Sequence, residues 1–203
     1  MAFVGTPLKN TKERYGSVAQ FFHWSVALGI LLMLPLGAIM YKLPVDTADA
    51  VALKVWLYSL HKTIGVGILA LAVLRIAWAL YSPRPKPLHP ERKLETFAAE
   101  TAHWLLYGSI ILIPVTGFLH HAATSGFAPI WWPFGQSLPF VPKDEAVANV
   151  LKLFHWAFSV LLLVTLAAHI GGALKHKFID KDLTLARMLP VGSLKGMNLN
   201  VHS

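Results

Sequence analysis

The chain contains no cysteine among its 203 residues. That excludes structural disulfides, thiolate catalysis, cysteine-ligated iron–sulfur clusters and a covalent c-type haem, which needs Cys-x-x-Cys-His. Charge is scarce as well. Asp, Glu, Lys and Arg together make up 14% of the residues, against about 25% in ordinary soluble domains. There is no Gly-rich phosphate loop, no internal repeat and no stretch that reads as a separate soluble domain. What the chain has instead is apolar length. Hydrophobic residues reach 55% and the mean hydropathy is +0.54, a balance that points to a membrane protein.

Four apolar stretches stand out: residues 18–40, 57–80, 97–119 and 147–174. Each reaches the length of about 20 residues that a helix needs to cross a hydrocarbon core of about 30 Å. The first lacks a small-residue cleavage site and is too long for a signal-peptide core, so it reads as a helix. The net charge of +8 is not a nucleic-acid footprint, because it is sorted by side. Lys9, Lys12 and Arg14 precede the first stretch, Arg84, Lys86, Arg92 and Lys93 join the second to the third, and Lys175, Lys177, Lys181, Arg187 and Lys195 follow the fourth. The opposite side mixes Lys42, Lys54, Lys62, Lys143 and Lys152 with Asp46, Asp49, Asp144 and Glu145. The positive-inside rule then places both termini and the 2–3 connection in the cytoplasm. Residues 1–16 read as a polar segment, disordered or lying on the membrane surface. The 2–3 connection carries Pro83, Pro85, Pro87 and Pro90 and cannot be helical. The 3–4 connection sets Trp131, Trp132 and Phe134 among prolines, either as an interfacial aromatic belt or as a lid over a site at the outer surface.

Histidines carry the chemistry. His155 and His169 lie fourteen residues apart in the fourth stretch. At about 100° per residue they return to the same face within about 40°, roughly 21 Å apart along the axis. Ionisable side chains inside a membrane are costly and face a partner in the bundle interior. His23, early in an outward-running helix, shares the inner depth of His169 at the end of an inward-running one. His61 and His155 share the outer depth. Each pair offers two axial nitrogens to one haem iron. Zinc fits less well, because two histidines per level fall short of its usual three or four protein ligands. The expected fold is therefore all-α: an integral membrane four-helix bundle holding two non-covalent haems b with bis-histidine iron.

Other residues are weighed against this frame. Gly37, Gly65 and Gly117 would let a planar macrocycle come close to the backbone, although membrane helix contacts use small residues anyway. Arg75, fourteen residues after His61, can pair with a propionate of the inner haem or snorkel to the interface. Lys62 reads as a snorkelling outer residue. His103, His120 and His121 read as interfacial, with a quinone or substrate mouth as the alternative. His89, His176 and His202 support no site.

These residues resemble the bacterial cytochrome b561 family. The resemblance runs from about Tyr15 to Pro190. It rests on His23-Trp24, His61 with Gly65 and Arg75, Pro114-x-x-Gly117, residues 131–139, His155/His169, and the closing Lys181-Asp182-x-Thr184-Leu185-x-Arg187-Met188-x-Pro190. The last motif is the most specific, since membrane insertion does not demand it. The His120-His121 pair and a longer 1–2 loop depart from the family pattern. The resemblance implies that His23, His61, His155 and His169 are the haem ligands of a cytochrome b561-like transmembrane domain over 17–190, with 1–16 and 191–203 as cytoplasmic segments. It implies electron transfer between an outer-face donor, superoxide in one member type, and ubiquinone, in the bacterial inner membrane. A different class would be a haem-bearing anchor subunit that passes electrons from a hydrogenase- or dehydrogenase-type partner to quinone. No nucleophile or acid–base pair for other chemistry is evident.

Overall fold

The computed structural model describes residues 6–124, 128–134 and 136–189. Pro190, the whole expected C-terminal tail 191–203 with His202, and parts of the 3–4 connection lie outside the described residues. The described chain is helical. Four long helices, α1 (Ser17–Lys42), α2 (Ala48–Tyr81), α3 (Lys93–Ala123) and α4 (Glu145–Lys175), are each long and apolar enough to cross a membrane. α4 continues through a π-helical turn, His176–Asp180, and a short 3-10 turn follows at Ala186–Met188. Lys181 closes the π turn in the left-handed region (φ 55°).

Two of the helices start where a side chain takes up a free backbone donor of the first turn. Thr47 Oγ1 accepts from Ala50 N at 3.2 Å and begins α2; Asp144 Oδ1 accepts from Val147 N at 2.9 Å and begins α4. The cap at Thr47 corrects the expected 1–2 loop. Residues 48–56 are the first turns of α2, and only residues 43–47 remain as a connection. Pro114 removes one helix donor from α3. Thr116 Oγ1 lies on the same stretch, donating to Leu112 O and Ile113 O at 2.7 and 2.9 Å, whereas the carbonyl that Pro114 leaves without its helix donor is that of Ile110. Thr63, Ser159 and Thr165 likewise donate to carbonyls one turn back on their own helices.

α3 packs along α4, α1 along α2, and α2 against α3. A thin central layer of Val26, Ile30, Ala72, Ile110 and Leu162 draws on all four helices. Large apolar side chains point outward elsewhere, Leu28, Leu32, Leu74, Leu112 and Val164 among them. Lipid is as apolar as leucine, so this surface carries no hydrophobic penalty in a bilayer.

The N-terminal segment, the 2–3 connection and the C-terminal segment share one end of the bundle, here termed the terminal face. The 1–2 and 3–4 connections share the other, the loop face. Residues 6–16 are folded against the 2–3 connection, contrary to the sequence reading. Asn10, almost fully buried, donates from Nδ2 to Pro83 O (3.0 Å) and accepts from Gly16 N (2.9 Å). Lys86 N donates to Lys12 O at 2.9 Å.

Candidate functional site

Helix direction and the fourteen-residue repeat on α4 bring four imidazoles together in two pairs. His23 of α1 and His169 of α4 have ring centres 6.2 Å apart, tilted by 53°. His61 of α2 and His155 of α4 have ring centres 6.3 Å apart at 70°. Two imidazoles bound from opposite sides to one metal, with nitrogen bonds of about 2 Å, have ring centres roughly 6 Å apart. The first pair lies toward the terminal face and the second toward the loop face. Leu162, halfway between the two α4 histidines, belongs to the apolar layer that separates them.

The loop-side pair is the better supported of the two. His155 Nδ1 lies 2.8 Å from Ile113 O. A carbonyl only accepts, so Nδ1 carries the proton and Nε2 is left with its lone pair. That is the state in which ligating histidines are usually held. Gly117 is required here, because a Cβ on it would lie 3.0 Å from two atoms of the His155 ring. Gly37 does the same for His61, whose Cε1 would be 3.3 Å from an added Cβ. These glycines make room for the imidazoles, whereas Gly65 faces only the end of Met33 at 3.8 Å. The pair lines a partly open apolar cleft, walled also by Met33, Ile68, Ile113, Pro114 and Leu162.

Arg75 turns inward and does not snorkel. Its Nη2 donates to His23 Nδ1 at 3.0 Å, which puts that ring's proton on Nε2, so His23 would offer Nε2 to an iron only once Arg75 turns from Nδ1 to a propionate; its guanidinium lies 5.5 Å from the centre of the Tyr107 ring. It makes no ion pair among the described residues. A cation in a low-dielectric setting without an acidic partner is poised for a carboxylate. Facing imidazoles beside an apolar cleft at the loop side, and facing imidazoles beside an unpaired guanidinium at the terminal side, each carry part of the chemistry that a haem with its propionates needs.

The family model for prokaryotic cytochrome b561 matches residues 14–191. The chain belongs to the prokaryotic cytochrome b561 family. Among its relatives, cytochrome b561 homolog 2 of Escherichia coli (strain K12) is 34% identical, over 89% of this chain and 93% of the relative. Probable superoxide oxidase CybB of Yersinia pestis is 28% identical over 66% of this chain and 76% of its own length. Cytochrome b561 homolog 1 of Escherichia coli (strain K12) is 24% identical, over 88% and 98%. The chain is thus a multi-pass bacterial membrane cytochrome of the b type.

Other histidines of this cytochrome b561 take positions that hydropathy alone did not reveal. His103 is not isolated at an interface: its ring centre is 5.1 Å from that of His169, and its Nδ1 donates to Ala99 O at 2.6 Å. His120 Nδ1 lies 2.8 Å from Ala148 O, joining α3 to α4. Lys62 also points inward, with Nζ donating to Ala128 O (2.8 Å) and to Nδ1 of the buried His121 (3.1 Å). Its amine has backbone and ring acceptors within reach, so it need not stretch to the interface. The 3–4 connection is pinned over α2, through Trp131 N to Thr63 Oγ1 and Trp132 Nε1 to Thr63 O, both at 3.0 Å. Its aromatic faces stay exposed, so it has the features of both belt and cover.

At the terminal face, His89 Nε2 and His176 Nδ1 both reach Asp182 Oδ2, at 3.2 and 2.7 Å. Burial alone would raise the Asp182 carboxyl, but hydrogen bonds from Thr184 and His176 outweigh it and hold it below the ordinary carboxylate value. Glu95, His176 and Asp180 approach closely enough to suggest a metal site. However, the Lys175 ammonium already bridges Glu95 and Asp180, and Arg92 pairs with both, so this is an ion-pair network. The closing motif also has a structural role. Arg187 donates to Glu13 O and to Lys86 O, Arg14 to Leu189 O, Gln20 to Arg187 O, and Trp24 Nε1 to Met188 O at 2.9 Å.

Proposed function

We propose that this cytochrome b561 holds two haems b, one between His23 and His169 and one between His61 and His155, and carries electrons from a donor at the loop face to ubiquinone. The observation that carries the reading is the spacing and depth of the two imidazole pairs. Lys and Arg distribution makes the loop face periplasmic and both termini cytoplasmic, in the inner membrane of a bacterium. Bound haem would supply one-electron chemistry, and two axial imidazoles would leave its iron no open position for oxygen.

The chain's own residues set the conditions. Ile113 O fixes the His155 ring and makes it a stronger donor. Arg75 offers charge to a propionate at the terminal side and favours the reduced state of its neighbour. The apolar layer around Leu162 excludes water between the two levels. Superoxide is the proposed donor, by analogy with the superoxide oxidase relative: it loses one electron and becomes dioxygen. Two such electrons and two protons convert ubiquinone to ubiquinol. The closing segment folds back on the protein's own N-terminal segment and on the start of α1, which favours a self-contained cytochrome over an anchor subunit.

Two measurements test this reading. Pyridine haemochrome analysis after acid–acetone extraction should give two haems per chain, and one per chain would overturn the two-site assignment. Stopped-flow mixing with superoxide should reduce the haems, ubiquinone should reoxidise them, and the superoxide rate should fall with ionic strength. Haems that stay oxidised would remove superoxide as donor.

A further inference from the structure

We propose that His121 and Lys62 form an anion-binding site at the loop face, with the His121 Nε2–H as its buried donor. The tautomer follows from the partner. A lysine ammonium only donates, so His121 Nδ1, 3.1 Å from Lys62 Nζ, accepts and the ring proton sits on Nε2. That Nε2 is buried and has no hydrogen-bond partner among the described residues, in a side chain only 2% exposed. The Gln136 side chain approaches the ring, but its carbonyl oxygen is turned to Ile130 N at 3.2 Å and its amide to Ile130 O, and neither forms a hydrogen bond with Nε2. A buried donor without an acceptor costs about 1–3 kcal/mol. The Lys62 charge deepens the deficit, because both of its partners are neutral acceptors and it makes no ion pair among the described residues.

An acceptor bearing negative charge at Nε2 satisfies the donor directly, while Lys62, across the ring at Nδ1, holds the tautomer and adds its charge without touching the anion. The shared chemistry is a small oxyanion or carboxylate, and it has two possible sources. One is a free anion that enters from the loop side, superoxide among them. The other is a carboxylate of the cofactor held by the adjacent His61. The identity of the free anion rests on the proposed donor; the site itself does not. Lys62 directly follows His61 in α2, so the site is carried by the same helical turn as the loop-side pair.

The test uses the oxidised holoprotein in detergent, with formate as the probe, His121→Phe to remove the donor at similar bulk, and Lys62→Met to remove the charge. Calorimetry at matched ionic strength should show formate binding to the parent protein and none to either variant. Formate should also slow reduction by superoxide in the parent only. Binding without any reduction by superoxide would sustain the site and sink the donor reading. If formate does not bind but both variants change the pH dependence of the loop-side haem's midpoint potential, the occupant is the cofactor's own carboxylate. Variants that retain full haem content, an unchanged potential and unchanged superoxide kinetics, in a protein that ignores formate, would overturn the proposal.

Discussion

Gly117 and Gly108 lie within three turns of each other on α3, yet an alanine should act oppositely at the two. At Gly117 the added Cβ meets the His155 ring at 3.0 Å, and overpacking of this kind costs about 1–3 kcal/mol. Gly117→Ala should lower thermal stability and diminish the loop-side haem signal. At Gly108 nothing lies within 4 Å, so Gly108→Ala should gain about 0.5–1 kcal/mol from helix propensity alone. Equal effects, read as Tm and haem content, would contradict the packing around His155. Arg75 offers a second test. Arg75→Leu should lower the midpoint potential of the terminal-side haem and leave the other unchanged, because a lost cation destabilises the reduced form. Arg75→Lys should recover part of the difference. Sequence spacing pairs His23 with His169 and His61 with His155, and the rings stand in those pairs. It named His103 and His121 but could not give their packing or the inward turn of Lys62, since these depend on rotamers and on a loop that folds over α2. Histidines close to both ends of α3 were the available signal.

At the scale of elements, apolar length located the four helices but underestimated their reach. α2 begins nine residues before its apolar stretch, because a threonine cap and good helix formers extend it beyond the membrane core. The closing motif has no hydropathy signal at all, and its meaning appears only in its bonds to the N-terminal segment and the 2–3 connection. Asp182 is central to that clasp. Its folded pKa lies below the unfolded value, so its stabilising contribution is fully present above the ordinary aspartate range near 3.8 and is lost as pH falls through the lower folded value. Amide hydrogen exchange over residues 183–189 should therefore stay slow at neutral pH and accelerate only in strong acid. Asp182→Asn should accelerate it already at neutral pH. Equal protection in parent and variant would remove Asp182 from the clasp.

Among the described residues the molecule is a thin-cored bundle whose central apolar cluster lies between two imidazole pairs. Such a core is small for a soluble protein of this length, and it suits a chain that turns its apolar surface to lipid and receives planar groups between its helices. Two histidines on α4 serve both levels, so α4 is the common rail, while α1 and α2 each contribute to one level. That division makes the pairing the central claim. Its most direct measurement is the low-temperature EPR spectrum of the oxidised protein and of the four single histidine-to-alanine variants. Two low-spin signals are expected in the parent. His23→Ala and His169→Ala should abolish one and the same signal, and His61→Ala and His155→Ala the other. Loss of a single signal by both His23→Ala and His61→Ala would contradict the account.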